Sequence, residues 1–291
     1  MKYAVFTVGL PELTPEQAVT TLRDLGYDGV EWRVVDQAPA SDGTPGFWAG
    51  NRCTWPLSSL VADAPRIAAL TAQAGLEMPS VGTYVTCDDL AAIEQAMQGV
   101  AQLGASQLRV NVPKYDGAAS YRTARDRALA QYREVAQLAR QYRLRALIEL
   151  HHGSLIPSAS AAAAFLDAFD PRDVGAIHDA GNMVHEGYEQ YRLGLETLGP
   201  YLAHVHLKNA DWRAVGVRPD GSAAWRAGWA PLSRGVVDMT ALFRALRLVG
   251  YDGWASFEDF STEQPLADRL RDNLAYVKRV AQSVAEEASS T

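Results

Sequence analysis

The sequence predicts an α/β fold, a single (β/α)8 TIM barrel, from three observations. Short runs rich in β-branched and aromatic residues alternate with segments of helical periodicity along the whole chain. Eight such pairs fit into 291 residues, and about 250 residues are typical of this barrel. The segment LGYDGVE before the second strand is echoed by VGYDGWASFE before the eighth. In each, a glycine ends a helix and an Asp-Gly turn begins a strand.

The eight predicted strands are short and are bounded by turn-forming residues. In chain order they span residues 3–9, 29–35, 78–85, 107–113, 146–152, 174–181, 202–209 and 254–260. A doubly wound parallel sheet is the alternative arrangement of these elements. It is disfavoured because no GxGxxG motif follows the first strand and the chain has neither GxxxxGKS nor GxxxxGKT.

The segments between the strands carry apolar residues at helical spacing. The predicted helices span residues 14–26, 66–75, 90–104, 127–142, 158–169, 187–199, 238–250 and 265–286. No linker rich in Pro and Ser and no block of like charge divides the chain, so we predict one domain over residues 1–291. We expect about the last five residues to be disordered.

The composition excludes several classes of protein. A hydrophobic content of 48% and a charged content of 21% are typical of a globular protein with a large core. The net charge of −7 argues against a nucleic-acid partner. We predict a cytoplasmic protein without a membrane partner, because we find neither a signal-peptide pattern nor a run of about 18 apolar residues. Cys53 and Cys87 are too few and too far apart for a disulfide framework or a CxxC zinc site.

Two connections, residues 36–60 and 209–235, are much longer than the others. Loops of that length usually serve a site or are disordered. Disordered segments avoid aromatic residues, whereas these two carry five of the seven tryptophans: Trp48, Trp55, Trp212, Trp225 and Trp229. We therefore predict ordered loops. Their tryptophans either fix the loops to the barrel rim or, as expected of Trp48, line a pocket for a polyhydroxy substrate.

Ionisable side chains cluster at the carboxyl ends of four consecutive predicted strands, where active sites of such barrels lie. They are Glu149 and His151 on the fifth strand, Asp179 on the sixth, His204, His206 and Lys208 on the seventh, and Glu258 on the eighth. Buried carboxylates repel one another, and a divalent cation removes that repulsion. Three carboxylates and an imidazole suit Mn²⁺, Mg²⁺ or Co²⁺, and Zn²⁺ is compatible. The alternative is that each acid pairs with a local Arg or Lys.

The segments IELHHG, HDAGN, HVHLKN and GYDGWASFED, in this order, resemble the xylose isomerase-like superfamily, the sugar phosphate isomerase/epimerase family. The resemblance covers essentially the whole chain and is most specific over residues 146–260. It implies that the metal ligands are Glu149, Asp179, His206 and Glu258. It also implies that Glu149 and Glu258 are catalytic and exchange the substrate proton from opposite faces of the sugar.

The chain departs from that family at two places. Asn182 stands where the epimerases commonly carry a histidine, and it could donate to a substrate oxygen without titrating near neutral pH. The segment PLSRGVVD has one glycine, Gly235, where relatives usually have a pair, so substrate contacts from this loop do not carry over. Endonuclease IV, a distant relative, needs further histidines and a nucleic-acid-binding face that this sequence lacks.

Other polar residues are candidates for the pocket wall. His151 and Lys208 lie one pleat beyond two of the implied ligands, and we expect both at the pocket mouth, in contact with substrate. A surface histidine and a rim lysine paired with an acid are the alternatives. Arg109 is expected to bind substrate, although Glu31, Arg33, Arg109 and Asn111 could instead form structural ion pairs.

Three further histidines receive supporting roles. His204 lies deeper on the seventh strand and is expected to be buried, supporting a neighbouring ligand. His152 is out of phase with Glu149 and should orient its loop. His178 is out of phase with Asp179 and should point towards the helices.

The predicted function is a divalent-metal-dependent isomerase or epimerase of a small sugar or polyhydroxy carbonyl compound. One glutamate removes a proton, an enediolate forms, and the other glutamate returns the proton. The alternatives are a metal-dependent dehydratase of the inosose dehydratase type and a non-catalytic sugar-binding relative. The implied partner is a small carbohydrate, unphosphorylated because no glycine-rich phosphate loop follows the last two strands. A homo-oligomer is compatible with the sequence.

Overall fold

The computed structural model describes residues 1–289, and within them eight parallel strands form a closed barrel. Residues 1–289 contain eleven strands in all: β1 (Lys2–Phe6), β2 (Gly29–Val34), β3 (Thr54–Trp55), β4 (Val81–Thr83), β5 (Gln107–Arg109), β6 (Arg145–Glu149), β7 (Val174–Asp179), β8 (Leu202–Leu207), β9 (Asn209–Val217), β10 (Ala223–Ala230) and β11 (Trp254–Phe257). All except β3, β9 and β10 belong to the barrel. It closes because β1 pairs in parallel with both β2 and β11. The predicted TIM barrel is confirmed, and each of the eight predicted strands is present.

Helices surround the barrel. They are α1 (Pro15–Leu25), α2 (Leu60–Gln73), α3 (Leu90–Leu103), α4 (Tyr121–Tyr142), α5 (Ala159–Leu166), α6 (Ala180–His185), α7 (Tyr191–Leu198), α8 (Met239–Leu248) and α9 (Leu266–Ser289). Two 3₁₀ turns, Thr7–Gly9 between β1 and α1 and Gly199–Tyr201 between α7 and β8, connect helices to strands. None of the described helices is long and apolar enough to span a membrane.

Helix α1 shows how local sequence sets an element. The Thr14 side chain accepts a hydrogen bond from the Gln17 backbone N–H, and the Gln17 side chain accepts one from the Thr14 N–H. This capping box satisfies two N–H groups that a helix start leaves without partners. Gly26 ends the helix at φ 83°, a left-handed conformation that favours glycine.

Several boundaries differ from the prediction. Helices α2 and α4 begin about a turn and a half before the predicted starts at residues 66 and 127. Helix α4 gains its first residues because Ser120 caps them, accepting from the Thr123 N–H. Helix α9 reaches Ser289, so residues 287–289 are helical, contrary to the predicted disorder. Residues 290–291 lie outside the described part of the chain.

The connection over residues 209–235 contains a β-hairpin that was not predicted from the sequence. Strands β9 and β10 pair antiparallel over most of their length. Their turn runs through Pro-Asp-Gly, and the Arg218 N–H donates to the Ser222 carbonyl over 2.8 Å. The Asp-Gly pair between two tryptophan-bearing runs was the signal available for it.

Candidate metal centre and substrate cavity

Four side chains converge at the carboxyl end of the barrel. Glu149 ends β6, Asp179 ends β7, His206 lies on β8 and Glu258 follows β11, and their ligand atoms all lie within 4.8 Å of one another. All four residues are buried. His206 Nδ1 is 3.2 Å from Glu149 Oε1, 3.6 Å from Glu258 Oε2 and 3.7 Å from Asp179 Oδ2. We call these four residues the quartet.

Nearby cations oppose the effect of burial on the pKa values of the quartet carboxyl groups. Burial alone would raise the pKa of Glu149, but the Arg109 guanidinium holds that pKa well below its ordinary value. Burial likewise opposes ionisation of Glu258, and Lys208 outweighs it, so that pKa is lowered. At Asp179 burial prevails and the pKa is raised. The quartet therefore combines carboxylates of unequal basicity.

Lys208 lies inside the quartet, not at the pocket mouth as predicted. Its Nζ is 2.7 Å from Asp179 Oδ2, 4.0 Å from Glu149 Oε1 and in direct contact with Glu258 Oε2. Gly181 makes room for it, because a Cβ there would lie 2.7 Å from Lys208 Cγ. The ammonium turns inward because three buried carboxylates attract it more strongly than water does. It still borders the cavity above the quartet.

The quartet fits a divalent cation. Three carboxylates and an imidazole nitrogen surround one point, a ligand set typical of Mg²⁺, Mn²⁺ or Co²⁺. Asp179 Oδ2 is buried and, within residues 1–289, accepts no hydrogen bond of normal geometry. The Lys208 ammonium contacts the same carboxylates, so a bound cation and Lys208 Nζ would compete for them.

Two predicted substrate-binding residues instead hold Glu149. Arg109 Nη1 lies 2.5 Å from Glu149 Oε2, and its Nε donates to the Thr83 carbonyl. Asn182 Nδ2 donates to Glu149 Oε1 and to the Leu150 carbonyl, each over 3.2 Å. Arg109 still borders the cavity, whereas Asn182 is fully buried and does not line it. The prediction that Asn182 contacts substrate is corrected, because its amide N–H groups are already engaged.

A cavity of about 480 Å³ opens above the quartet, with two chemically different walls. Its aromatic wall consists of Trp48, Tyr84, Trp229 and Phe260, and its polar wall includes Thr86, Asn111, Lys114 and Ser154. Glu149 and Glu258 lie at its floor. A more open groove of about 600 Å³ lies at the other end of the barrel and contains no member of the quartet.

His151 and His152 both line this cavity. His151 is half-buried, as expected near the mouth, and its Nδ1 lies 2.7 Å from the His152 carbonyl oxygen. The prediction for His152 was incomplete, because its ring also faces the cavity and stacks on His151 and on His185 at 4.4 and 4.5 Å. Burial, together with these neighbours, lowers the pKa of His152 to about 4. His185 was missed because helix α6 was not predicted.

The tryptophans of the long connections have different roles. Trp48 and Trp229 line the cavity, with rings 5.1 and 5.4 Å from that of Phe260. Trp55 is buried against Trp32, and Trp212 donates from Nε1 to the Val184 carbonyl. Trp225 is exposed on the hairpin. Trp55 and Trp212 therefore anchor their connections, Trp48 and Trp229 line a cavity, and the binding of a polyhydroxy substrate by Trp48 stays a prediction.

Glu31 has partners that the sequence did not indicate. Its Oε2 lies 3.0 Å from His204 Nε2 and 3.2 Å from His206 Nε2. Arg33, on the same strand, donates to Gln37 and Thr54. Glu31 was named only as a candidate for the pocket wall or an ion pair, and its histidine partners were not predicted because they lie across the closed barrel. His204 is fully buried, as predicted.

The family model described as xylose isomerase-like TIM barrel matches residues 19–280, so the chain belongs to that family. No curated protein sequence matches the chain. The fold is shared with 3-keto-D-glucoside 4-epimerase from E. coli, which is 17% identical, with 96% of this chain and 99% of that one covered and a TM-score of 0.71.

Two further solved structures share the fold. A D-tagatose 3-epimerase-like protein is 15% identical, with 99% of this chain and 100% of that one covered and a TM-score of 0.73. A xylose isomerase-like TIM barrel protein from Mycobacterium smegmatis, in complex with magnesium, is 19% identical, with 97% of each chain covered and a TM-score of 0.70. At identities this low, the structural similarity shows a common fold and no more.

Proposed function

We propose that this protein is a divalent-metal-dependent isomerase or epimerase of a small sugar or polyhydroxy carbonyl compound. The observation that carries the proposal is the buried quartet, with ligand atoms within 4.8 Å of one another at the floor of a cavity at the carboxyl end of the barrel. Relatives of the same fold that are named as sugar epimerases, and one in complex with magnesium, support this class of reaction.

Glu149, Asp179, His206 and Glu258 would hold one divalent cation, Mn²⁺, Mg²⁺ or Co²⁺, with Zn²⁺ also compatible. When bound, such an ion acts as a Lewis acid that polarises a carbonyl and its neighbouring hydroxyl. This lowers the barrier to removing the proton from the carbon between them.

Glu149 and Glu258 are the proposed proton carriers, because both border the cavity and Arg109 and Lys208 favour their ionised forms. An ionised carboxylate can remove a proton from a substrate carbon, and the second glutamate, once it has taken up a proton from water, can return that proton to the other face of the carbon. Between these steps the substrate is an enediolate. The Lys208 ammonium, held beside Glu258, can donate a hydrogen bond to the oxygen that gains charge.

The cavity walls suit a carbohydrate. Aromatic rings such as Trp48 and Trp229 can pack on the C–H face of a sugar and exclude water. Polar groups that also line the cavity, among them Asn111 and His151, can bind hydroxyl groups. We further propose an unphosphorylated substrate, because no glycine-rich phosphate loop follows the last two predicted strands. We also propose a cytoplasmic location without a membrane partner, and the net charge of −7 supports the proposal that there is no nucleic-acid partner.

The test is hydrogen exchange from deuterated water. The purified chain is stripped with a chelator, resupplied with Mn²⁺ and given ketoses, inososes and hydroxy-keto acids, and deuterium at the carbon beside the carbonyl is followed by mass spectrometry. We expect exchange that requires Mn²⁺ and falls by about 10²–10⁴-fold in Glu258→Gln. The matched control is Glu263→Gln, which removes an exposed carboxylate paired with Arg234.

The products distinguish the alternatives. Isomerisation conserves the substrate mass, whereas a dehydratase product has lost one water. Sugar binding without any metal-dependent exchange would indicate a non-catalytic relative and contradict the proposal. Full activity in a folded Glu258→Gln variant would remove Glu258 from the mechanism.

A further inference from the structure

A further buried carboxylate contacts His206 on the edge of its ring that faces away from the three carboxylates of the quartet. Glu31, on β2, is fully buried in the barrel interior. Its Oε2 and Oε1 lie 3.2 and 3.4 Å from His206 Nε2. The other ring nitrogen of His206, Nδ1, faces the three quartet carboxylates. Glu31 and the quartet therefore contact opposite edges of one imidazole.

Glu31 is itself held by neighbouring strands. His204 Nε2 lies 3.0 Å from Glu31 Oε2 and 3.0 Å from Ser256 Oγ. An ionised Glu31 only accepts hydrogen bonds, so His204 Nε2 is the nitrogen that carries hydrogen and donates, whereas Nδ1 has no hydrogen-bond partner among residues 1–289. Within residues 1–289, the ion pairs of Glu31 are with His204 and His206, and none is with Arg or Lys. Both contacts direct imidazole N–H groups at the same carboxylate.

The His206 ring is also restrained sterically. The Phe6 ring lies 5.7 Å from it, centroid to centroid. Phe6 is pressed against Gly82, where a Cβ would lie 2.2 Å from a Phe6 ring carbon. Any larger residue at position 82 would displace Phe6 and loosen the packing on His206.

We propose that Glu31 is the positioning residue that fixes His206 for metal binding, an inference that rests on the proposed function. An ionised carboxylate only accepts hydrogen bonds, so Glu31 requires the hydrogen of a neutral His206 to be on Nε2. The Nδ1 lone pair is then presented to the cation. His204 contacts the Glu31 carboxylate, and Ser256 contacts His204, so the two residues hold that carboxylate in position. Glu31 acts through His206 and touches neither cation nor substrate.

The experiment measures Mn²⁺ binding by isothermal titration calorimetry on the full chain, without substrate. Glu31→Gln preserves size but offers an amide that can donate to Nε2, which favours the other tautomer. We expect its Mn²⁺ affinity to fall about 10- to 100-fold. Thr71→Val is the control, because it removes another buried hydrogen bond of β2, from Trp32 Nε1 to Thr71 Oγ1, away from the quartet. Its Mn²⁺ affinity should equal that of the wild type.

A second pair of variants separates positioning from general damage. His204→Gln retains a donor near the Nε2 position, whereas His204→Leu removes it. We expect the Gln variant to bind Mn²⁺ nearly as the wild type does and the Leu variant to bind it more weakly. Equal affinities of His204→Leu, Glu31→Gln and the wild type would overturn the positioning role while leaving the proposed function intact.

The wild-type chain supplies a test that does not depend on the folding of any variant. ¹⁵N NMR of the zinc-loaded protein should show His206 with hydrogen on Nε2 and the metal on Nδ1. The opposite tautomer would overturn the proposal. Two Mn²⁺ ions per chain, with one lost in Glu31→Gln, would also overturn it, by making Glu31, His204 and His206 ligands of a second ion. A wild-type chain that binds no divalent cation would refute the proposed function together with this inference.

Discussion

Lys208 and Asp179 form an ion pair at the centre of the candidate metal site, with Nζ 2.7 Å from Oδ2. The Lys208 ammonium is fully enclosed, and Trp229 and Phe260 lie over it at 5.0 and 5.3 Å. Burial lowers the pKa of a lysine, but the surrounding carboxylates outweigh that effect and raise it. Lys208 therefore remains an ammonium and a permanent competitor for the carboxylates that would bind a divalent cation.

The first prediction concerns that competition. Lys208→Met should lower the free energy of unfolding by about 3–5 kcal/mol in the presence of a chelator, because it leaves buried carboxylates without their counter-ion. Mn²⁺ should stabilise the variant more than the wild type, because it no longer displaces an ammonium. Urea unfolding with and without Mn²⁺ measures both effects. Lys114→Met, at an exposed cavity residue, is the control, and equal Mn²⁺ stabilisation of all three proteins would contradict the prediction.

Arg109 provides a contrast between a buried and an exposed ion pair. Arg109→Met removes the guanidinium 2.5 Å from Glu149 and should cost about 3–5 kcal/mol of unfolding free energy, because Glu149 stays buried. Arg140→Met breaks a pair with Asp173 in which the arginine is largely exposed, and should leave the unfolding free energy nearly unchanged. Urea denaturation of both variants checks the difference. Similar losses would show that Arg109 does not stabilise a buried charge.

His178 predicts a specific pH dependence. It is fully buried, neither ring nitrogen has a hydrogen-bond partner in the described part of the chain, and burial lowers its pKa to about 4. The unfolded chain, with a histidine pKa near 6.5, therefore binds more protons than the folded chain between about pH 6.5 and 4. Stability should fall as the pH is lowered through that window, with up to about 3 kcal/mol from this group.

His178→Leu isolates that contribution. The variant should lose less stability than the wild type on going from pH 7 to about pH 4, because leucine takes up no proton. Urea denaturation at a series of pH values measures the difference between the two slopes. Parallel slopes would assign the acid sensitivity to other groups.

The aromatic wall predicts a binding effect. Trp48→Ala should raise KM about 5- to 10-fold with little change in kcat, because ring contacts with substrate are lost equally in the ground and transition states. Trp225→Ala is a closely matched control, because Trp225 is 54% exposed and Trp48 55%, but only Trp48 lines the cavity. KM and kcat of both variants are measured by steady-state kinetics on the substrate that the hydrogen-exchange screen identifies. A similar KM for both variants would exclude Trp48 from substrate binding.

The barrel and the meeting of four side chains were predictable from the chain alone. Strand periodicity places Glu149 and Asp179 at the ends of β6 and β7, and His206 pairs in register with Asp179. Consecutive parallel strands lie side by side, so their carboxyl-end residues must meet. The hairpin of β9 and β10 was harder to predict, because most of it is exposed and the alternation of apolar and polar residues is weak.

The order of strands and the residues at their ends follow from local patterns, which short-range chemistry sets. The partners of Glu31 and the direction of the Lys208 side chain do not follow from local patterns. Glu31 meets His204 across 173 residues, and only closure of the barrel brings them together. Lys208 has a long side chain that could reach water or turn inward. Its direction depends on how many buried carboxylates the folded barrel gathers around it, and no local pattern encodes that number.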